Sequence, residues 1–550
     1  MEERMADRAA FAGQWVVLTK EGDVCAVADT ADAARHQAAA ACPDADALVV
    51  WISPHPPHLG LPAWPLLEIR SLLATQKLWL AGGAVRDLLL NRRPTDWDFV
   101  TAGSGLMAAR AVADALGGAY YALDRERGTG RALVTPPGGE TPGTLDFAEM
   151  RGATLEDDLR LRDFTIDALA MTLAGQLIDP TGGRRDLQDG RLRMTHPRAF
   201  VDDPARLIRA VRLELDLPVT LEPETYRRIE AQGSRIAEVA PERVHAELVK
   251  IVGHASAVQG LNRMSDLGLL DHVLPNVAAL GHLRSSWPGV YPTLRNFVFA
   301  MVDGVICVER ALRDGAAEAG SPCPPLLADV DAALSAVRAP LRAYLQATVP
   351  GRLSRAELVR WAALYLETGA MRGNGKAERG AEIARERLLE LRFSRAAAEF
   401  VAALVMHADA FDQARSHLLP TPTDAGREGR AAEERRAVYR FYRVTGETGP
   451  AAVVMYLARA VAAPSDAPGR RRWHDDLVVA RRLLRAYFTR RDELVDPPPL
   501  LTGDDLIRLG VPRGPDVGRI LEALREKQAA GEVCSAQAAR DWVQEQASSL

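Results

Sequence analysis

The residues best suited to chemistry lie between positions 78 and 101, in the stretch LWLAGGAVRDLLLNRRPTDWDFVT. Gly82 and Gly83 follow an apolar segment, and residues without a Cβ let backbone N–H groups come close to a bound group. Arg86 follows in the first turn of a predicted helix, where its guanidinium can form two hydrogen bonds to phosphate oxygens. This pattern predicts a phosphate-binding turn.

Two carboxylates, Asp96 and Asp98, come shortly after this turn. Residues two apart in a strand point to the same face, so these side chains converge. Mg²⁺ prefers a few carboxylates together with substrate phosphates, and two such ions roughly 3.5–4 Å apart stabilise a displacement at phosphorus. Asp146, in the later segment GTLDFAE, is a candidate third carboxylate. The chemistry predicted is metal-assisted phosphoryl or nucleotidyl transfer.

Short strands and Gly-rich turns must position these groups. The segments LWLAG, WDFVT, GAYYAL, RALVT and GTLDFAE read as strands, and IDALAMTL follows them. After Pro180 the periodicity becomes helical, over 206–215, 223–232 and 242–252. We therefore expect an α+β protein, with a small mixed sheet followed by an all-helical remainder.

The order GGAVRD then PTDWDFVT resembles the head-domain signature of the class II tRNA nucleotidyltransferases and bacterial poly(A) polymerases. These are template-independent enzymes of the DNA-polymerase-β-like superfamily. The resemblance implies that the glycines and the Arg-Asp pair hold a triphosphate and that the two aspartates bind catalytic metal. The matching positions are Gly82, Gly83, Arg86 and Asp87 for the triphosphate, and Asp96 and Asp98 for the metal.

A second segment, DLRLRDFTIDA at 158–168, is similar to the ribose-selecting DLxRRDFTINA of that family. Arg162 and Asp163 match, and the resemblance implies that they read the ribose. Leu161 stands where the family has its first arginine, and Asp167 stands where the family has asparagine.

A third segment, VDDPAR at 201–206, resembles the neck motif EDxxRxxRxxR. The resemblance implies that Asp203 and Arg206 pair with the edges of ATP or CTP, in place of a template; Asp202 stands where glutamate is usual. Arginine supplies donors and aspartate supplies acceptors for a base edge. Arg209 and Arg212 follow at three-residue steps on the same helix face and are included among the nucleotide-binding candidates.

Five parts are expected along the chain. They are an α/β appendage (1–60), the catalytic head (61–185), a helical neck that recognises the base (186–255), a helical body (256–495) and a helical RNA-binding tail (496–550). The body segment RWAALYLETG looks like an HD-type phosphohydrolase domain. The expected His-Asp pair falls at Leu366 and Glu367, so we interpret the body as a degenerate HD-like domain.

Composition narrows the class of protein. A chain of 550 residues is too long for one core, and 47% hydrophobic with 26% charged residues excludes a disordered or fibrous chain. The net charge of −5 excludes a protein that coats nucleic acid by bulk charge. Between positions 184 and 212, however, there are eight arginines and four aspartates, so the neck is locally basic.

The compartment follows from the cysteines and the N-terminus. The five cysteines form no CxxC pair and are expected to be reduced. The segment MEERMADRAA lacks the basic and apolar regions of a signal peptide, and the apolar stretch around 297–308 is too short to span a bilayer. We expect a cytoplasmic protein.

The function predicted is Mg²⁺-dependent addition of C and/or A residues from CTP and ATP to the 3′ end of tRNA. In the family, a flexible loop before the ribose segment assists the switch to adding A. Here only MRGATLED separates the GTLDFAE strand from that segment, so this loop is short and a CC-only or an A-only enzyme stays open. A poly(A) polymerase is a further alternative. A non-catalytic RNA-binding protein is the alternative from another class, but it would have no need for carboxylates facing a polyanion.

Overall fold

The structure is a computed structural model that describes residues 11, 14–18, 24–28, 31–41, 48–52, 60–137, 141–314, 326–372, 376–419, 427–463 and 472–547. It divides into two compact units, Met1–Arg235 and Ile236–Leu550. The first unit contains every candidate site residue. The boundary between the units falls inside the predicted neck, and the division into five parts stays a prediction.

The first unit begins with a four-stranded antiparallel sheet in the order β2-β1-β3-β4. Its strands are β1 (Trp15–Leu18), β2 (Val24–Ala28), β3 (Leu48–Ile52) and β4 (Gly60–Pro62), with helix α1 (Ala31–Ala41) between β2 and β3. Four small apolar side chains form the core between sheet and helix: Val17, Ala26, Ala34 and Ala38. Helix α2 (Ala63–Leu72) leads from this sheet into the head.

A seven-stranded mixed sheet forms the head, in the order β11-β10-β5-β6-β9-β8-β7. Its strands are β5 (Leu78–Ala81), β6 (Asp96–Thr101), β7 (Ala119–Asp124), β8 (Thr129–Val134), β9 (Gly143–Glu149), β10 (Ala170–Thr172) and β11 (Leu177–Ile178). β6 and β9 are parallel, and the other neighbours are antiparallel. The five segments read as strands before residue 150 are confirmed. In IDALAMTL, the first two residues instead belong to the 3₁₀ turn Thr165–Asp167, and only β10 is a strand.

One face of this sheet is closed by a helix. Helix α3 (Gly83–Leu89) links β5 to β6, and helix α4 (Gly105–Ala115) follows β6. The buried residues of α4 recur at helical spacing, at Gly105, Ala108, Ala109, Val112 and Ala113, as expected for a helix that packs on one face. A Cβ at Gly105 would lie 2.4 Å from the carbonyl oxygen of Phe147, so only glycine allows this approach. The opposite face of the sheet is left for the carboxylates.

The rest of the first unit is mainly helical. Its elements are α5 (Leu155–Arg160), α6 (Gly183–Gln188), β12 (Arg191–Leu192), α7 (Ala199–Asp202), α8 (Arg206–Asp216), β13 (Thr220–Leu221) and α9 (Pro223–Gln232). The helices predicted over 206–215 and 223–232 are confirmed as α8 and α9. Thr154 caps α5 with a reciprocal pair of hydrogen bonds to Asp157, which fixes the start of the helix that precedes Arg162.

The second unit is almost entirely helical. Its helices are α10 (Pro241–Gly253), α11 (Ala257–Asp266), α12 (Leu270–Val273), α13 (Pro275–Ala279), α14 (Leu294–Asp314), α15 (Leu326–Leu334), α16 (Arg338–Gln346), α17 (Arg355–Tyr365), α18 (Lys376–Glu390), α19 (Arg395–Met406), α20 (Ala410–Leu418), α21 (Arg427–Thr445), α22 (Gly449–Ala462), α23 (Trp473–Thr489), α24 (Gly503–Arg508), α25 (Pro515–Ala530) and α26 (Ala536–Ala547). A short hairpin of β14 (Thr348–Val349) and β15 (Leu353–Ser354) precedes α17. The predicted α+β class, a mixed-sheet head with a helical remainder, is confirmed.

A buried arginine ties three parts of the second unit together. Arg360 on α17 is 5% exposed and donates through Nε and Nη2 to Glu309 on α14, at 2.9 and 2.8 Å. Its Nη1 donates to the carbonyls of Val252, Gly253 and His254, at 3.1, 2.7 and 3.1 Å. These carbonyls end α10, where a cation is favoured by the helix dipole.

The cysteine prediction is wrong in part. Cys25 and Cys307 are each disulfide-bonded, whereas Cys534 is free and exposed. Cys42 and Cys323 lie outside the described residues. Spacing along the sequence reveals only local pairs such as CxxC, whereas a disulfide depends on proximity in the fold. Among the described helices, none is both long enough and apolar enough to cross a membrane.

Candidate active site

Three carboxylates lie side by side on the open face of the head sheet. Asp96 and Asp98 are two residues apart on β6, so both point to that face, as predicted. β9 is parallel to β6 and places Asp146 directly opposite Asp98. The intervening residues Trp97 and Leu145 point the other way and are buried, at 2% and 0% exposure. Alternation in the two strands therefore gathers the acidic groups on one surface.

Asp98 is the most perturbed of these carboxylates. Burial raises its pKa to about 6, and the negative charges of Asp146 and Asp96 act in the same direction. The positive charges of Arg162 and Arg209 oppose the shift without cancelling it. At neutral pH the nearby arginines therefore do not balance the negative charge of the three carboxylates, and a bound cation would reduce this excess of negative charge.

Asp146 has a partner on the next strand. Arg131 on β8 lies opposite Asp146 in the antiparallel register and donates to its two oxygens from Nε and Nη2, both at 2.7 Å. This is a bidentate pair, the strongest geometry for an arginine and a carboxylate. The hydrogen bond to Asp146 raises the pKa of Arg131. Asp146 is therefore held in place, and Asp96 and Asp98 are the carboxylates left to contact a metal.

The glycine turn lies beside Asp98. Gly82 has a φ of +69°, and a Cβ there would lie 2.7 Å from Nη1 of Arg162 and 3.8 Å from Oδ2 of Asp98. Arg162 is itself oriented by Asp158, which is 2% exposed and accepts from its Nε at 3.3 Å. Only glycine fits here, because the backbone is left-handed and the arginine occupies the space of a side chain.

Arg86 is held between two carboxylates. Its Nε donates to Asp87 at 3.0 Å, and its Nη1 donates to Asp167, which is 3% exposed. Burial lowers the pKa of Arg86, but Asp167 and Asp87 more than offset this and raise it. The second oxygen of Asp167, Oδ2, is buried and has no hydrogen-bond partner among the described residues. The arginine of the predicted phosphate turn is thus aligned and partly neutralised.

The neck residues form a second cluster around Asp163. Burial opposes its ionisation, but Arg209 and Arg206, together with the N–H of Phe164, lower its pKa. The ion pair between Nε of Arg209 and Asp163 spans 3.1 Å, and the ion pair between Arg206 and Asp203 spans 3.9 Å.

Arg206 is buried at 9% exposure, contrary to the solvated face that an isolated run of arginines would suggest. Its guanidinium donates to the carbonyls of Leu161 at 2.9 Å and Ala199 at 3.1 Å. Burial lowers its pKa, although Asp163 and Asp203 oppose the shift. Arg212 pairs with Asp216 at 2.6 Å, one turn further along α8. Arg206 therefore fastens α8 to the segment that carries Arg162.

The donor set fits a divalent metal ion held by two carboxylates and a substrate. Within the part of the chain that the structure describes, no group of three or more His, Cys, Asp or Glu could hold a metal by itself. Asp96 and Asp98 supply two oxygen donors on an open face, and Mg²⁺ commonly takes one or two carboxylates plus phosphate oxygens. The raised pKa of Asp98 is consistent with a site that a cation completes.

Three residues near the site were not identified from the sequence. Arg131 pairs with Asp146, Asp158 orients Arg162, and Asp167 binds Arg86. A charged residue among apolar neighbours is the signal that points to such partners, as for Arg131 in the strand RALVT and Asp167 in IDALAM. The partners themselves depend on strand register for Arg131 and on tertiary packing for Asp167, which a single sequence does not provide.

Comparison with known proteins gives two family matches and several relatives. Residues 78–193 match the poly A polymerase head domain, and 219–280 match a probable RNA and SrmB-binding site of polymerase A. The chain is 31% identical to an A-adding tRNA nucleotidyltransferase of Deinococcus radiodurans, over 84% of this chain and 94% of that protein. It is also 31% identical to a CC-adding tRNA nucleotidyltransferase of Geobacter sulfurreducens, over 83% and 88%.

Solved structures agree in fold. A CCA-adding enzyme in complex with ATP has a TM-score of 0.56 and 21% identity, covering 88% of this chain and 95% of that one. The Bacillus stearothermophilus CCA-adding enzyme in complex with CTP has a TM-score of 0.54 and 21% identity, covering 88% and 98%. At this identity the likeness establishes the fold alone.

The mixed sheet, its paired aspartates and the adjoining glycine turn define a nucleotidyltransferase head. Relatives at 31% identity over more than four fifths of the chain narrow the class further. The chain belongs to the class II tRNA nucleotidyltransferase family. Members of this family use a divalent metal ion.

Proposed function

We propose that this chain transfers cytidylate and/or adenylate residues from CTP or ATP to the 3′ end of tRNA, using Mg²⁺. The observation that carries the proposal is the placement of Asp96 and Asp98 on one open face, beside the Gly82 turn and Arg162. A carboxylate pair next to a close backbone approach and an arginine suits a nucleoside triphosphate with its metal. The cytoplasm, where tRNA and these nucleotides occur, is the proposed compartment.

In the proposed reaction, the 3′-hydroxyl oxygen of the RNA bonds to the α-phosphorus and the bond to pyrophosphate breaks. When bound, Mg²⁺ would lower the pKa of that hydroxyl and neutralise the charge that develops on the phosphate, and Asp96 and Asp98 are the residues that would hold it. The Gly82–Gly83 turn and Arg86 bind the triphosphate, and Asp87 aligns Arg86. The pair of Asp146 and Arg131 keeps the third carboxylate fixed beside them.

The neck is proposed to select the nucleotide. Arg162 and Asp163 contact the ribose, and Asp203 with Arg206 presents acceptors and donors to the base edge. Arg206 is already occupied by backbone carbonyls, so its contribution to the base is made by the donor positions that remain or by fixing α8. Arg209 and Arg212 support this helix through Asp163 and Asp216.

One observation bears on whether the chain adds C, A or both. β9 ends at Glu149 and α5 begins at Leu155, so five residues connect the third-carboxylate strand to the helix before the ribose segment. In the family, a flexible loop at this point assists the change to A addition. A short connection therefore favours CC addition, while A addition and complete CCA addition are outcomes that the test below distinguishes.

The test uses three forms of one tRNA: lacking CCA, ending in CC, and complete. Each is incubated with Mg²⁺ and a single radiolabelled nucleotide, CTP or ATP, and incorporation is measured on gels. CTP incorporation into the first form alone identifies a CC-adding enzyme, and ATP incorporation into the second form alone identifies an A-adding enzyme. Successive addition of both identifies a CCA-adding enzyme, and long A tails identify a poly(A) polymerase.

Asp96→Ala should abolish any incorporation, because it removes a metal ligand. Asp114→Ala is the matched control, since Asp114 is an acidic residue of the same head with a side chain 70% exposed on α4. No incorporation by the wild-type chain on any of the three tRNAs would overturn the proposal. Full activity of Asp96→Ala would overturn the assignment of the site.

A further inference from the structure

Tyr121 lies in register with the carboxylates across the head sheet. On β7 it pairs with Arg131 of β8, Arg131 pairs with Asp146 of β9, and Asp146 pairs with Asp98 of β6. Directly paired residues on neighbouring strands point to the same face of a sheet. The four side chains therefore form one row on the open face, which leads from the proposed metal site to the edge of the sheet.

The outer end of this row is apolar and open to solvent. Tyr121 is 51% exposed and Leu123, two residues further on the edge strand, is 47% exposed. Tyr120 points to the opposite face, where the guanidinium of Arg110 on α4 lies 5.1 Å from its ring centre. One tyrosine of the pair thus packs on the helix, while its neighbour is presented to solvent on the face that carries the chemistry.

Arg131 lies between the exposed tyrosine and the carboxylates. Its side chain is 37% exposed, and Nε and Nη2 are the nitrogens that bind Asp146. A partly exposed guanidinium next to an exposed aromatic ring matches the composition of surfaces that bind single-stranded nucleic acid. In such surfaces cations follow the backbone and aromatic rings stack on bases.

The sheet extends on both sides of Asp98, and the two sides suit different ligands. The Gly82 turn and Arg162 adjoin β5, on one side of β6, whereas β9, β8 and β7 extend on the other side. In nucleotidyl transfer the attacking and leaving oxygens lie roughly in line on opposite sides of the phosphorus. If the triphosphate occupies the Gly82 side, the attacking strand must approach from the side of Arg131 and Tyr121.

We propose that the open face of β7 and β8 binds the single-stranded 3′ end of the RNA substrate, with the ring of Tyr121 stacked on a base upstream of the reacting nucleotide. This proposal rests on the proposed function. Three strand spacings of ~4.8 Å place Tyr121 about 14 Å from Asp98, a distance of several stacked nucleotides rather than one. Tyr121 therefore contacts RNA that is already synthesised, and the incoming nucleotide binds elsewhere.

The experiment measures KM for the tRNA form that the wild-type chain extends, and KM for the nucleotide that it incorporates. Tyr121→Ala should raise KM for tRNA about 5- to 20-fold, since stacking of one base is lost. KM for the nucleotide should stay within about twofold of wild type, because the triphosphate lies on the other side of Asp98. Tyr121→Phe keeps the ring and should behave as wild type, and Tyr120→Ala is the control on the opposite face.

A binding measurement separates this proposal from the proposed function. Filter binding without nucleotide compares an RNA hairpin that has a single-stranded 3′ extension with the same hairpin ending flush. Tyr121→Ala should weaken binding of the extended hairpin only. An unchanged KM for tRNA, an equal defect in Tyr120→Ala, or equal weakening on both hairpins would overturn the proposal. A wild-type chain that binds the extended hairpin preferentially but incorporates nothing would overturn the proposed function instead.

Discussion

Asp98 combines two demands that conflict within a single side chain. A metal ligand must be ionised, yet burial and the adjacent Asp146 and Asp96 raise its pKa to about 6 and so favour the proton. The metal ion and the proton therefore compete for the same carboxylate. This competition gives the site a pH dependence with a defined direction.

At sub-saturating Mg²⁺ we expect kcat/KM for the nucleotide to fall as the pH drops below about 6, because protonated Asp98 loses its metal. The apparent pKa should move to lower pH as Mg²⁺ rises, since the cation favours the ionised form. A pH–rate profile at several Mg²⁺ concentrations measures this. An apparent pKa that does not respond to Mg²⁺ would contradict the assignment.

The raised pKa of Asp98 also makes the free energy of unfolding depend on pH, in the direction opposite to that of the activity. A raised pKa means that the folded, metal-free protein binds the proton more tightly than the unfolded chain does. The stability that protonated Asp98 contributes is present at low pH and is lost as the pH rises from about 4 through about 6. In EDTA at pH 8, Asp98→Asn should therefore raise stability by about 1–3 kcal/mol, measured by thermal unfolding. Asp114→Asn, an exposed residue on α4, is the control.

Asp167 offsets the charge of Arg86 in the phosphate turn. Because the carboxylate also repels a triphosphate, Asp167→Asn should lower KM for the nucleotide about 2- to 5-fold, whereas Arg86→Ala should raise it at least about tenfold. Steady-state kinetics with CTP or ATP measures both. A higher KM in Asp167→Asn would mean that the carboxylate is needed to hold Arg86 in position.

The residue types at the site could be predicted from the sequence, but their partners could not. The spacing of Asp96 and Asp98 correctly predicted a shared face, because alternation is a local property of a strand. The contact between Arg131 and Asp146 joins residues 15 positions apart through strand register, and the contact between Arg86 and Asp167 joins residues 81 positions apart. Such contacts depend on tertiary packing, which a single sequence leaves undetermined.

At the scale of elements, α8 is fastened to the head by a side chain that the sequence assigned to base recognition. Arg206 binds carbonyls of Leu161 and Ala199, which lie in the ribose segment and in α7. The helical periodicity correctly predicted α8 itself, and the amphipathic pattern of α4 accounts for its packing on the sheet. Periodicity predicts which face of a helix is buried, but it does not predict that a charged residue such as Arg206 makes the contact with the neighbouring segment.

Arg206→Ala should destabilise the first unit by about 2–3 kcal/mol, because buried carbonyls lose a charged donor. Thermal unfolding of the metal-free protein measures the loss. Arg198→Ala is the matched control, since that arginine is 75% exposed and pairs only at the surface with Asp202. A variant with altered preference between CTP and ATP but unchanged stability would show that Arg206 acts on the base alone.

At the scale of the whole molecule, the two units have different kinds of core. The first is organised around a sheet with a packed face and an open face, and the second around helices joined by buried side chains such as Arg360. Chain length correctly excluded a single core, and the helical periodicity after Pro180 indicated the helical remainder. The boundary at Arg235 was not predicted, because helices continue on both sides of it.

Arg360→Ala should destabilise the second unit by about 3–5 kcal/mol, because it leaves Glu309 buried without its charge partner and removes the nitrogen that donates to three carbonyls at the end of α10. KM for the nucleotide should be unchanged, since every proposed nucleotide-binding residue lies in the first unit. Denaturant unfolding and steady-state kinetics measure these effects. The double change Arg360→Met with Glu309→Leu should recover part of the stability, because no charge is then left buried and unpaired. If nothing is recovered, the loss of stability comes from the α10 carbonyls that no longer accept a hydrogen bond from Arg360.

The two-faced sheet also constrains how this head can vary in length. In β9, insertion of one residue would exchange Asp146 for Leu145 or Phe147 on the open face, and every later side chain would change sides. The register irregularity in the head sheet lies beyond Tyr121 in β7, where a change of phase moves none of the three site carboxylates. The end of β7 beyond Tyr121 is therefore the place where single-residue insertions and deletions can accumulate among relatives, whereas the strands that carry Arg131, Asp146 and Asp98 accept length changes only in pairs.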